Sequence, residues 1–286
     1  MSGLAFIGGS GLYKLDGINL IKWLDIKSPW GEPSDKVALL EHKDIKFYFI
    51  PRHGRNHSIS PSNINYRANI EVLKQLNVEN LISISAVGSL SEQHPPGKFI
   101  LVDQFIDFTY LRKKTFFEDD IIAHISMANP TSQKLRESAK KSLDSLSINN
   151  QLNGTYVAIE GPQFSSKAES NFYRLLNADV IGMTNMPEAK LAKEAEMRYL
   201  SVSMVTDFDC WHPNHENVTV EEIIKNLNKN SENANKFIKN FISDYHSNLN
   251  KDDEDLHSLK YSFITSKDAW STQSKTKLES IIKKYI

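Results

Sequence analysis

A chain of 286 residues is long enough for one large domain or two small ones, with a sizeable core in either case. With 34 Lys and Arg against 35 Asp and Glu, the formal net charge is -1, which leaves no field to hold nucleic acid or an anionic membrane. The single cysteine, Cys210, excludes an internal disulfide framework and a Cys-rich zinc site. It also suits a reducing compartment. No stretch approaches the ~20 apolar residues of a membrane span, and the first residues lack a basic start and a long apolar core, so a soluble cytoplasmic protein is expected.

Taken in order, Leu4 to Ile7 is a short apolar strand that runs into Gly8-Gly9-Ser10-Gly11. This turn brings backbone N–H groups close together, yet it is neither a P-loop nor a full dinucleotide fingerprint. A tight first turn and a phosphate cradle are both open. Val37 to Leu40 and Ile45 to Ile50 form a hairpin about His42-Lys43-Asp44, and the second strand delivers Pro51-Arg52-His53-Gly54-Arg55-Asn56-His57. Two arginines and two histidines at a strand end make a compact basic loop in a balanced chain, and an arginine fork suits an oxyanion.

Pro61-Ser62-Asn63 opens a helix whose Ile64, Ala68, Val72 and Leu76 recur at steps of four, with Leu73 widening the stripe. Leu81 to Ala86 is the next strand, and Ser85 to Ser89 reads as a second small-residue turn with free N–H groups. Phe99 to Val102 is a strand, and residues 107–129 read as loop. Thr131 to Leu146 is an amphipathic helix and Gly154 to Ile159 a strand. Ser166 and Glu169 have the spacing of a capping box, so a helix starts there and reaches about Asn177. Val180 to Gly182 is a short strand, and Met183-Thr184-Asn185-Met186-Pro187 breaks the chain before a helix from Glu188 to Glu196.

Ser201 to Trp211 starts as an apolar, partly β-branched run and ends on Asp207 and Asp209. In open α/β sheets ligands sit at that edge, so paired acids there are candidates for hydrogen bonding or proton transfer. Val220 to about Tyr245 is a long helix. Strands and helices alternate with short connections, which predicts one α/β domain with a central mixed sheet flanked by helices. The expected division is a domain over 1–245 and a partly helical extension over 246–286, packed on the domain or on a neighbouring subunit. In that extension Leu256, Leu259 and Phe263 suggest a short helix, and Leu278, Ile281, Ile282 and Tyr285 a closing amphipathic helix.

Six segments together carry a family resemblance: Ile7 to Leu12, Pro51 to Arg55, Pro61 to Asn69, Glu160 to Ser166, Met183-Thr184 and Thr206 to Trp211. The chain resembles the trimeric purine nucleoside phosphorylases over about residues 3 to 245. The resemblance implies phosphorolysis, with inorganic phosphate as co-substrate, no metal or other cofactor, and a homotrimer. It implies adenine nucleosides, methylthioadenosine in particular. A broader purine nucleoside phosphorylase acting on adenosine, inosine or methylthioinosine is the alternative.

By the same resemblance, phosphate is held by Ser10, Arg52, His53, Ser85, Ala86 and Thr184. The family often has Thr where Ser10 and Ser85 stand, and each serine keeps the hydroxyl. The base is met by Asp207, assisted by Asp209 and Ser165, with Phe164 stacked on the ring. The ribose lies over Met183. The 5' group meets His124 of a neighbouring subunit and positions Val220, Ile223 and Ile224. Asp207 is expected to supply the proton at N7, which requires a carboxyl held above its ordinary pKa of about 3.9 by burial or by Asp209.

Three rival readings carry their own signatures. A metal-dependent hydrolase would use Asp207, Asp209, His212 and His215 as ligands. A nucleoside-binding protein would show no turnover, and a nucleosidase would not depend on phosphate. Cys210, with no histidine motif about it, reads as a small packed residue.

Overall fold

The structure, a computed structural model, describes residues 3–9, 12, 15–213, 220–244 and 253–286, and of 220–223 the backbone only. Eleven strands make one sheet among these residues. They are β1 (Gly3–Gly8), β2 (Asn19–Leu24), β3 (Val37–His42), β4 (Ile45–Pro51), β5 (Val78–Ser89), β6 (Phe99–Val102), β7 (Gln104–Asp107), β8 (Asn150–Leu152), β9 (Thr155–Ala158), β10 (Val180–Gly182) and β11 (Arg198–Asp207). The helices are α1 (Tyr66–Gln75), α2 (Gln133–Ser145), α3 (Lys167–Leu175), α4 (Asn185–Glu194), α5 (Val220–Asp244), α6 (Thr272–Lys277) and α7 (Glu279–Ile282). None of them is long and apolar enough to cross a membrane.

Alternation along the central strands builds two cores. In β1, Ala5 and Ile7 face one side while Leu4 and Phe6 face the other. The first side is covered by residues of α1, α4 and the C-terminal helices, the second by α2 and α5. Parallel strands covered on both faces must be apolar on both, which is why these runs read as continuous rather than alternating. The expected α/β domain with a mixed sheet is what the chain forms.

The sheet is organised by β5. It pairs in parallel with β1 on one side and with β11 on the other. Beyond the end of β1, Gly88 and Ser89 pair antiparallel with Ile181 and Val180 of β10, while Gly88 stays paired with Asp207 of β11. Ser85 to Ser89 is therefore strand, not the expected turn. Small residues occur there because two strands approach at once: a Cβ on Gly88 would lie 3.0 Å from Asp207 Oδ1 and 3.1 Å from an Ile181 methyl.

Other local expectations hold. His42 and Ile45 close the β3–β4 hairpin, with Lys43 and Asp44 at positive φ as a tight two-residue turn requires. Ser166 accepts from the Glu169 N–H while the Glu169 carboxylate accepts from the Ser166 N–H, the reciprocal capping box. Met186, at φ -117 and ψ 131, interrupts the start of α4. The closing helix is in fact two short ones, split at Leu278, where the chain turns so that Leu278, Ile281 and Ile282 all enter the core. Residues 253–286 pack on the body: Asp253 pairs with Arg198, and Glu196 accepts from Leu259 N, Lys284 and the Tyr285 hydroxyl.

Candidate active site

The C-terminal ends of β1, β4, β5 and β11 meet those of β9 and β10, which run the opposite way to β5. Between them lies a cavity of about 530 Å³, well sized for a small-molecule ligand. Ten residues singled out in the sequence line it: Arg52, His53, Ser85, Ala86, Phe164, Ser165, Met183, Thr184, Asp207 and Asp209. Ser10 and the side chains of Val220 and Ile223 lie outside the described residues. Ile224 is 49% exposed and is not part of this lining. His124 is exposed, away from the cavity, with its backbone N–H donating to Ser262 O.

One end of the cavity is basic in composition but balanced in charge. The Arg52 guanidinium donates through Nε to Glu188 Oε2 at 2.8 Å and through Nη2 to Glu188 Oε1 at 3.1 Å. Nη2 also reaches Ser83 Oγ at 2.6 Å, and Nη1 reaches Ile84 O at 3.2 Å. Burial alone would lower the Arg52 pKa, and Glu188 more than offsets it. Arg52 is therefore a fixed, neutralised fork rather than the free cation its loop suggested. His53 donates through Nδ1 to Ile59 O at 2.8 Å and stacks on His57. Desolvation, with Arg52 and His57 adding to it, holds the His53 pKa down at about 4. Ser85 donates to Asn185 Oδ1 at 3.0 Å, and Asn185 in turn is held by Ser83 and Tyr199.

The other end is acidic. The register slips between Val205 and Asp207, placing Thr206 in a bulge that brings Asp207 beside Gly88. From α5, Asn226 and Asn230 donate to the carbonyls of Thr206 and Val205 and fasten the strand end. Asp207 accepts from Thr206 Oγ1 at 2.7 Å and from the Asp209 N–H at 2.8 Å. Burial raises its pKa against both of these bonds. Asp209, at φ 51, is pushed up to about 6, first by burial and further by the Asp207 charge. The Ser170 hydroxyl lies against the Asp209 carboxyl, and the Ser165 hydroxyl is buried with no hydrogen-bond partner. Cys210 donates to Ser165 O at 3.2 Å, in keeping with a packed residue.

A third set of residues escaped sequence reasoning. Arg112, from the stretch read as loop, is buried behind the cavity wall. It donates to Glu160 Oε1, to the Tyr66 hydroxyl, and to the carbonyls of Met183, Met186, Ile159 and Glu160. Glu160 also accepts from the N–H groups of Tyr110 and Leu111 and from the Ser62 hydroxyl. One buried pair thus ties the segments after β9 and β10 to the 107–112 loop. Only the run of basic residues at 112–114 hinted at it, within a stretch that read as loop.

Among the described residues, no three His, Cys, Asp or Glu side chains gather as metal ligands. Asp207, Asp209 and His212 form no such group, and His215 lies outside the described residues.

Known proteins resemble this chain along nearly its whole length. The S-methyl-5'-thioadenosine phosphorylase of Rhodospirillum rubrum is 50% identical over 236 residues, covering 82% of this chain and 80% of the relative. That of Koribacter versatilis is 45% identical, covering 99% of this chain and 96% of the relative. A methylthioadenosine phosphorylase from an antarctic soil metagenomic library has the same fold, with a TM-score of 0.91 at 43% identity, covering 98% of this chain and 99% of that one. Residues 4–243 match the family described as the phosphorylase superfamily, and with the cavity and its two chemically distinct ends in view, the chain belongs to that superfamily.

Proposed function

We propose that this protein catalyses the phosphorolysis of S-methyl-5'-thioadenosine to adenine and 5-methylthioribose 1-phosphate. The observation that carries this reading is that Arg52 and His53 share one cavity wall system with Asp207 and Asp209. Phosphate is assigned to Ser10, Arg52, His53, Ser85, Ala86 and Thr184, and the purine to Phe164, Ser165, Asp207 and Asp209. Met183, between the two ends, takes the ribose. The substrate is supported by the names of the relatives.

In this arrangement a phosphate oxygen forms a bond to the anomeric carbon as the bond to N9 of adenine breaks. The electron pair of that bond passes to the purine, which leaves well only if N7 is protonated. Asp207 is the group assigned to hold that proton, because burial keeps its carboxyl above the ordinary range. Asp209, facing the same end, accepts from a 6-amino group. The Asp209 carboxylate, which only accepts, pairs poorly with a 6-oxo group, so inosine is expected to be a weak substrate.

The assembly proposed is a homotrimer in which His124 and positions 220, 223 and 224 complete the 5' pocket. Exposed apolar side chains support it: Phe164 of the cavity lining at 60%, and elsewhere on the surface Tyr110 at 76%, Leu111 at 67% and Leu175 at 81% exposure. Phosphate is the co-substrate, and no metal or organic cofactor has a part. A cytoplasmic location is proposed from the single cysteine.

The test is release of the free base, adenine from methylthioadenosine and adenosine and hypoxanthine from inosine, with phosphate varied. The proposal expects saturation in phosphate and the order methylthioadenosine, adenosine, inosine. Adenine release at full rate without phosphate would assign a nucleosidase instead.

A further inference from the structure

The basic end of the cavity contains a hydrogen-bond acceptor, which a site built for a bare anion would not. His53 is 7% exposed, and its Nδ1 lies 2.8 Å from Ile59 O. A carbonyl only accepts, so Nδ1 carries the hydrogen, and in the neutral ring Nε2 carries a lone pair. Nε2 lies beside Gly9 at the cavity wall, where a Cβ on the glycine would stand 3.7 Å away. The charged and titratable neighbours of the ring are Arg52, His57 and Arg112, and all of them oppose a positive charge on it. The nearest strong cation, Arg52, is already matched by Glu188.

We propose that His53 Nε2 accepts a hydrogen bond from an O–H of the bound oxyanion, so that the site selects tetrahedral oxyanions that keep a proton near neutral pH. This rests on the phosphate end of the proposed function and specifies its chemistry. Both forms of inorganic phosphate present near neutrality keep at least one O–H, as does arsenate. Sulfate keeps none. It would set its own lone pairs against that of Nε2, or force a proton onto a ring whose surroundings oppose the charge. One unpaired buried polar contact corresponds to about 100-fold in affinity.

The experiment measures methylthioadenosine turnover near neutral pH at constant ionic strength, with arsenate in place of phosphate and with sulfate as competitor. Arsenate is expected to support turnover with a KM within about tenfold of that for phosphate, and sulfate to compete about 100-fold more weakly than phosphate binds. In His53→Gln the amide can turn its NH2 toward the anion, and the gap between phosphate and sulfate is expected to shrink to about tenfold or less. Sulfate competing as tightly as phosphate in the unaltered enzyme overturns the proposal while leaving phosphorolysis intact. So does a His53→Gln enzyme that discriminates as before. Adenine release independent of phosphate overturns the functional reading instead. If His53→Gln does not fold, the ion series on the unaltered enzyme still decides.

Discussion

Arg52 and Glu188 form a two-point ion pair, Nε to Oε2 at 2.8 Å and Nη2 to Oε1 at 3.1 Å, with both side chains 1% exposed. The pair holds the guanidinium against the ends of β1 and β5 and removes most of its net charge from the cavity. Glu188→Gln would leave the cation buried beside an empty anion site. Breaking a buried pair costs about 3–5 kcal/mol, and the retained amide oxygen puts this variant near the lower figure. Phosphate bound next to Arg52 would then supply the missing negative charge. Thermal unfolding with and without saturating phosphate is expected to show a larger phosphate-induced rise in Tm for Glu188→Gln than for the unaltered chain. Equal rises would place phosphate away from Arg52.

Arg112 is a positioning residue, since it touches no assigned substrate atom but fastens the carbonyls of Ile159, Glu160, Met183 and Met186. Lysine has three N–H donors at one point and cannot reach these acceptors together. Small displacements of a substrate-facing backbone are costly, so Arg112→Lys is expected to lower kcat about 100-fold per folded molecule. The comparison is kcat normalised to the folded fraction measured by circular dichroism. A variant that loses folded protein but keeps kcat per folded molecule would reduce Arg112 to a purely structural role.

Asp209 is expected to cost stability at the pH where the enzyme works. Its pKa is raised from 3.8 to about 6 in the folded chain. A raised pKa means the folded state binds the proton more tightly, so the stabilising contribution is complete below about pH 4 and lost as pH rises through about 6. Asp209→Asn removes the ionisation. It is expected to be more stable than the unaltered chain above pH 6 by roughly 3 kcal/mol at most, with the advantage vanishing on acidification. Denaturant unfolding at several pH values checks this. A stability difference that does not change with pH would mean Asp209 is not the titrating group.

Most of the scaffold could be read from local signals. The buried parallel strands announced themselves as apolar runs, and Ser166 with Glu169 marked a helix start that the hydrogen bonds reproduce. What was missed lacks such signals. β2 is an edge strand with Leu20 and Ile21 half exposed, and β7 and β8 are only four and three residues long. Ser85 to Ser89 looked like a turn because its side chains are small, yet they are small to admit β10 and β11 on either side. Within the site, the residues on strand ends were legible by type and place. Their partners were not: Glu188 is 136 positions from Arg52, and Arg112 is 71 from Met183. A buried ion pair of that separation leaves no periodicity for sequence reading to detect.

Asp207→Asn tests the composite cavity most directly, because it alters the base end alone. Steady-state rates with methylthioadenosine, inosine and phosphate are the measurement. The loss of a general acid predicts a fall in kcat/KM for methylthioadenosine of about 100-fold or more, with the KM for phosphate unchanged and the preference over inosine narrowed or reversed. An Asp207→Asn enzyme that turns over methylthioadenosine at the unaltered rate, or one that loses both nucleosides equally along with phosphate binding, would contradict the account.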